Sequence, residues 1–252
     1  MLGAHIDYVV LVARARKRHV QQALRFPDKN GQRRGGRRPR AGRPKRGRFA
    51  SERHARRPRL TGREPVLVTA RVAPAARGLR RWRIYHAIRR ALATAMARAD
   101  FRVVHVSIQR THVHLIVEAA SHQALSRGMQ GLLISAARRI NRARGGRGAV
   151  FPDRYHERVI TSPRQCRHAI AYVVNNWRRH GEDRGRTWTV DPFSSAVNFA
   201  GWRELAGSDR LFEPPGWYER LPTSAPQTWL ARVAWTRHGA ISAREVPGPQ
   251  PA

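Results

Sequence analysis

Two histidines one residue apart, His112 and His114, stand in the run Gln109-Arg110-Thr111-His112-Val113-His114-Leu115-Ile116-Val117-Glu118. The run is short, β-branched and alternating, which predicts a β-strand. Successive strand side chains point to opposite faces, so the two imidazoles share a face, with Cα atoms roughly 6.6 Å apart. Val113, Leu115 and Val117 then face a core. Two nitrogen donors on a rigid strand can converge on one divalent cation. In a very basic protein, that pairing points to metal-assisted chemistry on a phosphate backbone. Taken alone, a His-x-His strand is more often structural or solvent-facing than metal-binding, so the rest of the chain must decide.

Downstream lies Ala171-Tyr172-Val173-Val174-Asn175-Asn176-Trp177. Ser162-Pro163 supplies an N-cap followed by proline at the first helical position, predicting a helix from there to about His180. Tyr172 and Asn176 are four residues apart, on one helical face and about 6 Å from each other. His112, His114 and the Asn176 carboxamide make a neutral ligand set that leaves a bound cation its full charge. Tyr172 is the candidate nucleophile. Its attack on a phosphodiester would give a 5′-phosphotyrosine and a free 3′ hydroxyl, keeping the bond energy for resealing. A phenol of pKa about 10 is protonated at neutral pH, so it needs activation by the cation, the substrate or a base.

Rivals are visible. Tyr155, in the polar Arg154-Tyr155-His156-Glu157-Arg158, is the alternate nucleophile, although no ligand follows it four residues on. Glu118 shares the histidine face and is the alternate ligand, or else a solvated strand end. His105 supports the site from the next strand or is simply buried.

The chain has 252 residues, with 50 Lys+Arg against 16 Asp+Glu and a formal charge of +34. Such an excess repels itself, and a polyanion relieves the repulsion through counterion release. Nucleic acid is the expected partner. One cysteine, Cys166, excludes an internal disulfide and a thiolate zinc cluster. No apolar run approaches the roughly 18–20 residues of a membrane span, and a cytoplasmic, nucleoid-associated protein is expected.

Three regions are expected: a basic arm over 1–63, a catalytic domain over 64–182 and a tryptophan-containing extension over 183–252. Before about position 27 the arm could form a short strand and helix. From Asp28 to Glu64 it is Arg, Gly and Pro, which cannot build a packed core. Gly42-Arg43-Pro44-Lys45 partly matches a minor-groove hook, making Arg43, Lys45 and Arg46 DNA-binding candidates. The plainer reading is a phosphate-binding arm without sequence preference.

Within the domain, strands are predicted at 65–72, 101–108, 112–118 and 155–160, the second and third forming a hairpin through the short link 109–111, and helices at 79–99, 121–143 and 162–180. The order β-α-β-β-α-β followed by a helix is the ferredoxin-like arrangement, an α+β antiparallel sheet with helices on one face. Arg138, Arg139, Arg142, Arg144 and Arg147 form a candidate phosphate-binding edge on the second helix, or else a solvated face. Trp188, Trp202, Trp217, Trp229 and Trp235 either pack onto the domain, the better reading, or stack on bases.

The His-hydrophobic-His strand, the tyrosine helix and this element order, over roughly 64–182, resemble the HUH single-tyrosine transposases, specifically the REP-associated and IS200-like members. The resemblance implies that His112, His114 and Asn176 bind Mg²⁺ or Mn²⁺, that Tyr172 is the nucleophile, and that the substrate is hairpin-forming single-stranded DNA, a homodimer being compatible with it. The chain departs from the family in having Arg110-Thr111 where Pro-Asn often precedes the first histidine, and Asn175-Asn176-Trp177 where many relatives have Asn-Pro. A non-catalytic DNA- or RNA-binding protein on the same fold is the alternative. An RNA-recognition module is disfavoured, because adjacent strands carry no pair of aromatic residues.

Overall fold

Four strands form one antiparallel sheet in the order β2-β3-β1-β4: β1 is Val66–Arg71, β2 Phe101–Ile108, β3 His112–Ala119 and β4 His156–Val159. The structure is a computed structural model describing residues 60–207 and 210–248. The readings of residues 1–59, including Arg43, Lys45 and Arg46, lie outside the described residues. Leu60, four positions before the expected domain boundary at 64, is already buried in the core.

Helix α1 (Trp82–Ala95) and helix α2 (His122–Arg144) pack on each other and cover one face of the sheet. The β2–β3 register puts Phe101 opposite Ala119, on the side of Val113, Leu115 and Val117. Gly128 of α2 lies on the Phe101 ring so closely that a Cβ there would sit 2.2 Å from it. As expected from sequence, Ser121 caps α2, its hydroxyl accepting from the Ala124 amide, and Gly145 ends the helix in the left-handed conformation at φ 64°. Helix α1 is shorter than its apolar periodicity suggests. The amides of Gly78 and Leu79 donate to the Arg110 carbonyl and hold the chain out of a helix before Trp82.

Helix α3 (Pro163–Val174) starts at the Ser162 cap and covers the opposite face, the one carrying His112 and His114. The two helices of the β-α-β-β-α-β unit thus share one face, as the ferredoxin-like order predicts, and the added tyrosine helix covers the other. The helix expected to continue to His180 breaks at Asn175 (φ −109°, ψ 11°), and a one-turn helix α4 (Asn176–Arg179) follows. Tertiary contacts explain the break. The Asn175 side-chain Nδ2 donates to the Ser242 carbonyl, and the Arg178 guanidinium donates to the Ala243 and Thr189 carbonyls.

The described residues of the extension, 183–207 and 210–248, run along β2 and across α3. The Ile108 amide donates to the Phe193 carbonyl and Ser107 bridges Ser194, so the edge of β2 is covered. Arg80 and Asp191 form a two-pronged ion pair, both contacts 2.9 Å, with both side chains almost wholly buried. Farther on, Arg167 pairs with Glu245 in the same forked manner. Among the described residues, no helix is long and apolar enough to cross a membrane.

Candidate active site

His114 lies in the middle of the sheet, opposite Thr69 of β1 on one side and Ser107 of β2 on the other. The Thr69 hydroxyl is 2.9 Å from His114 Nδ1, and the Thr111 hydroxyl is 3.0 Å from His112 Nδ1. Each ring thus has one nitrogen engaged by a hydroxyl, a support that fixes ring orientation and leaves Nε2 as the donor. The two rings meet edge to face at 4.4 Å between centroids. Strand alternation and the packing of α3 bring the third group in. Tyr172 Oη is 3.4 Å from His114 Nε2, and the rings are 4.9 Å apart.

Tyr172 points at the imidazole pair rather than into the apolar core. Asn176 is fully buried, and neither its Oδ1 nor its Nδ2 has a hydrogen-bond partner. An orphaned buried carboxamide costs on the order of 1–3 kcal/mol, so it fits a group that awaits a ligand. Neutral nitrogen donors held from behind, together with this free carboxamide oxygen, suit a divalent cation. Among the described residues, no cluster of three His, Cys, Asp or Glu side chains is arranged as a metal cage.

A further imidazole belongs to the neighbourhood. His180, exposed at the rim, has its ring 5.3 Å from that of His112. Sequence reasoning missed it, although its spacing of eight from Tyr172 and four from Asn176 was a usable signal. Thr69 and Thr111 were also missed, because only strand register places Thr69 behind His114.

Burial dominates the electrostatics. It pushes His112 down to about 4, helped by His180 and Arg71, and holds His114 well below the ordinary imidazole range, helped by His112, His180 and Arg71. Both rings are neutral at physiological pH, as ligands must be. Buried His105, whose Nδ1 is 3.3 Å from the Ser195 hydroxyl, is pushed down to about 4 by burial alone. It belongs to the packing of the extension and not to the imidazole pair. A histidine whose folded pKa is depressed protonates preferentially in the unfolded chain. Stability is therefore full above pH ~6.5 and falls as pH drops from there toward 4, by roughly 3 kcal/mol for His105. Urea unfolding of wild type and His105→Gln between pH 7.5 and 4.5 should show a shallower loss in the variant; parallel curves would refute this.

The alternates take other places. Glu118, read as an alternate ligand or a solvated strand end, is buried. It accepts from the Gln227 and Thr228 amides and the Thr228 hydroxyl, with Arg102 at 3.3 Å. Its oxygens are committed to anchoring the extension. Tyr155 is buried beside Ser126 and Gln130 of α2, on the face away from the histidines. Arg138 and Arg142 are exposed on α2, and Arg139 reaches Ser135, so this edge also lies on the far face. Arg144, expected in that edge, instead clasps the loops by donating to the Ala75 and Arg147 carbonyls and the Asn141 side chain.

No curated protein matches the chain. Among solved structures, a REP-associated tyrosine transposase bound to a REP hairpin is similar, with 19% identity, a TM-score of 0.47 and coverage of 69% of this chain and 96% of that one. A protein of Deinococcus radiodurans R1 described as a candidate transposase is 13% identical, with a TM-score of 0.32 and coverage of 53% and 96%. The family model "Transposase IS200 like" matches residues 76–176, a span holding His112, His114, Tyr172 and Asn176. Over that span, which carries the whole proposed site, the chain is similar to the IS200-like transposases.

Proposed function

We propose that the protein is a divalent-metal-dependent strand transferase that cuts single-stranded DNA beside hairpins, with Tyr172 as nucleophile. The observation carrying this reading is the approach of Tyr172 Oη to His114 Nε2 at 3.4 Å, inside a span matched by a transposase family. His112, His114 and Asn176 would hold Mg²⁺ or Mn²⁺, which when bound polarises the scissile phosphate and stabilises the departing 3′ oxygen. Tyr172 supplies the attacking oxygen. A bond forms from Oη to phosphorus, the bond from phosphorus to the 3′ oxygen breaks, and the phenolic proton is lost as the 3′ oxygen gains one. Arg71, exposed and paired with His112 across the sheet, adds a cation at the mouth for the phosphate. Thr69 and Thr111 keep the imidazoles oriented. The preference for hairpin-bearing strands follows from the family resemblance, and a homodimer is compatible with it.

The test is a labelled hairpin-bearing DNA strand incubated with the protein and Mn²⁺. A covalent protein–DNA adduct mapping to the Tyr172 peptide is expected. Tight binding without an adduct across a hairpin library would favour the non-catalytic alternative. Counterion release gives the arm a separate role. Removing residues 28–59, which spares buried Leu60, should weaken DNA binding and flatten its dependence on salt. An unchanged slope would remove the arm from the account.

A further inference from the structure

The tryptophans of the extension do not share one fate. Trp202 and Trp235 are buried, whereas Trp217 and Trp229 leave 53% and 51% of their surface in solvent. Trp217 meets Trp82 and Tyr218 beside the start of α1. Trp229 differs in setting. It is the first residue of a one-turn helix, α5 (Trp229–Arg232), and the Arg237 guanidinium lies 5.0 Å from its ring centroid. It also lines an open cleft of about 550 Å³ with Arg63, Glu64, Arg102, Thr161 and Gln227, the Glu64 carboxylate being engaged by the Thr61 hydroxyl.

The position of this cleft matters. Helix α5 and the turn after it pack on α3, the helix that carries Tyr172. Thr161 immediately precedes the cap of α3, and Thr228 is bonded to Glu118 at the far end of β3. Glu118 is six positions from His112 along the strand, roughly 20 Å at the rise of a β-strand. Trp229 and the candidate nucleophile therefore lie on one side of the sheet, separated by the length of a few nucleotides.

An indole half in water, with a guanidinium near its ring and arginines around it, has the chemistry of a stacking platform for single-stranded nucleic acid. We infer that Trp229 stacks an unpaired base of the DNA strand that Tyr172 attacks, a few nucleotides from the scissile phosphate. Arg63, exposed at the cleft, meets the backbone there, while Arg102 is held by Glu118. Stacking tolerates any base, so the subsite holds the strand in place without reading sequence. This inference rests on the strand-transferase reading.

The test compares full-length wild type, Trp229→Ala, Trp229→Phe and Trp217→Ala by fluorescence anisotropy. The probe is a labelled mixed-sequence DNA strand, in salt high enough to screen the basic arm. Trp229→Ala should bind roughly 5- to 150-fold more weakly. Trp229→Phe should recover most of the loss and Trp217→Ala should match wild type, with far-UV circular dichroism confirming the fold of each. The salt slope should be the same in all four, because stacking releases no counterions. Undiminished binding by Trp229→Ala, or an equal loss in Trp217→Ala, overturns the inference. If wild type binds and forms the adduct while Trp229→Ala is indistinguishable from it, only the stacking subsite falls. If wild type fails to bind single strands at all, both readings fall.

Discussion

Tyr172→Phe is expected to abolish the proposed covalent adduct and to lower strand cleavage by about four orders of magnitude or more, the scale seen when a nucleophile is removed from an otherwise intact site. The variant keeps the ring, and the lost hydroxyl has only a long 3.4 Å contact with His114 Nε2. Stability should therefore change by no more than about 1 kcal/mol. Metal binding should persist, because the proposed ligands are untouched. Gel analysis of the adduct, with thermal melting of the same samples, separates loss of chemistry from loss of fold. Survival of the adduct in Tyr172→Phe, with its disappearance in Tyr155→Phe, would transfer the role to the alternate tyrosine.

The second large effect concerns the join between the extension and the family-matched span. Asp191 is fully buried, accepts both prongs of Arg80 and receives the Phe193 amide at 3.0 Å. Asp191→Ala removes both prongs and leaves the buried guanidinium only its longer carboxylate contact with Glu182, at 3.7 Å. It should cost about 3–5 kcal/mol, the range for breaking one partner of a buried pair. The Arg80 side also donates to the Ile108 carbonyl at the end of β2, so the damage should reach the strand beside the histidines. Urea denaturation measures the loss. The double variant Arg80→Met/Asp191→Leu should cost clearly less than the sum of the single changes, since it removes both charges together. A loss under 1 kcal/mol in Asp191→Ala would show that the extension is not held this way.

Physical reasons govern which parts of the molecule were readable in advance. The β2 strand, the Ser121 and Ser162 caps and the Gly145 stop depend on local preferences and on the period of apolar residues, so the chain announces them within a few positions. His112 and His114 share a face because strands alternate, whatever surrounds them. The break at Asn175 could not be read, because bonds to Thr189, Ser242 and Ala243, remote in sequence, override a locally continuous helical pattern. Glu118 looked like a strand end open to water, but the amides that bury it come from residues more than a hundred positions away.

The sequence by itself determined the chemical types on offer: a paired imidazole, a phenol with a carboxamide four residues on, and a surplus of arginine. Those are properties of side chains and of short-range periodicity. Only the tertiary structure decided which phenol meets the imidazoles, which hydroxyls hold the rings, and which tryptophans remain in solvent. Such choices depend on strand register and on how a long C-terminal segment is anchored, and both are set by contacts between residues far apart in the chain.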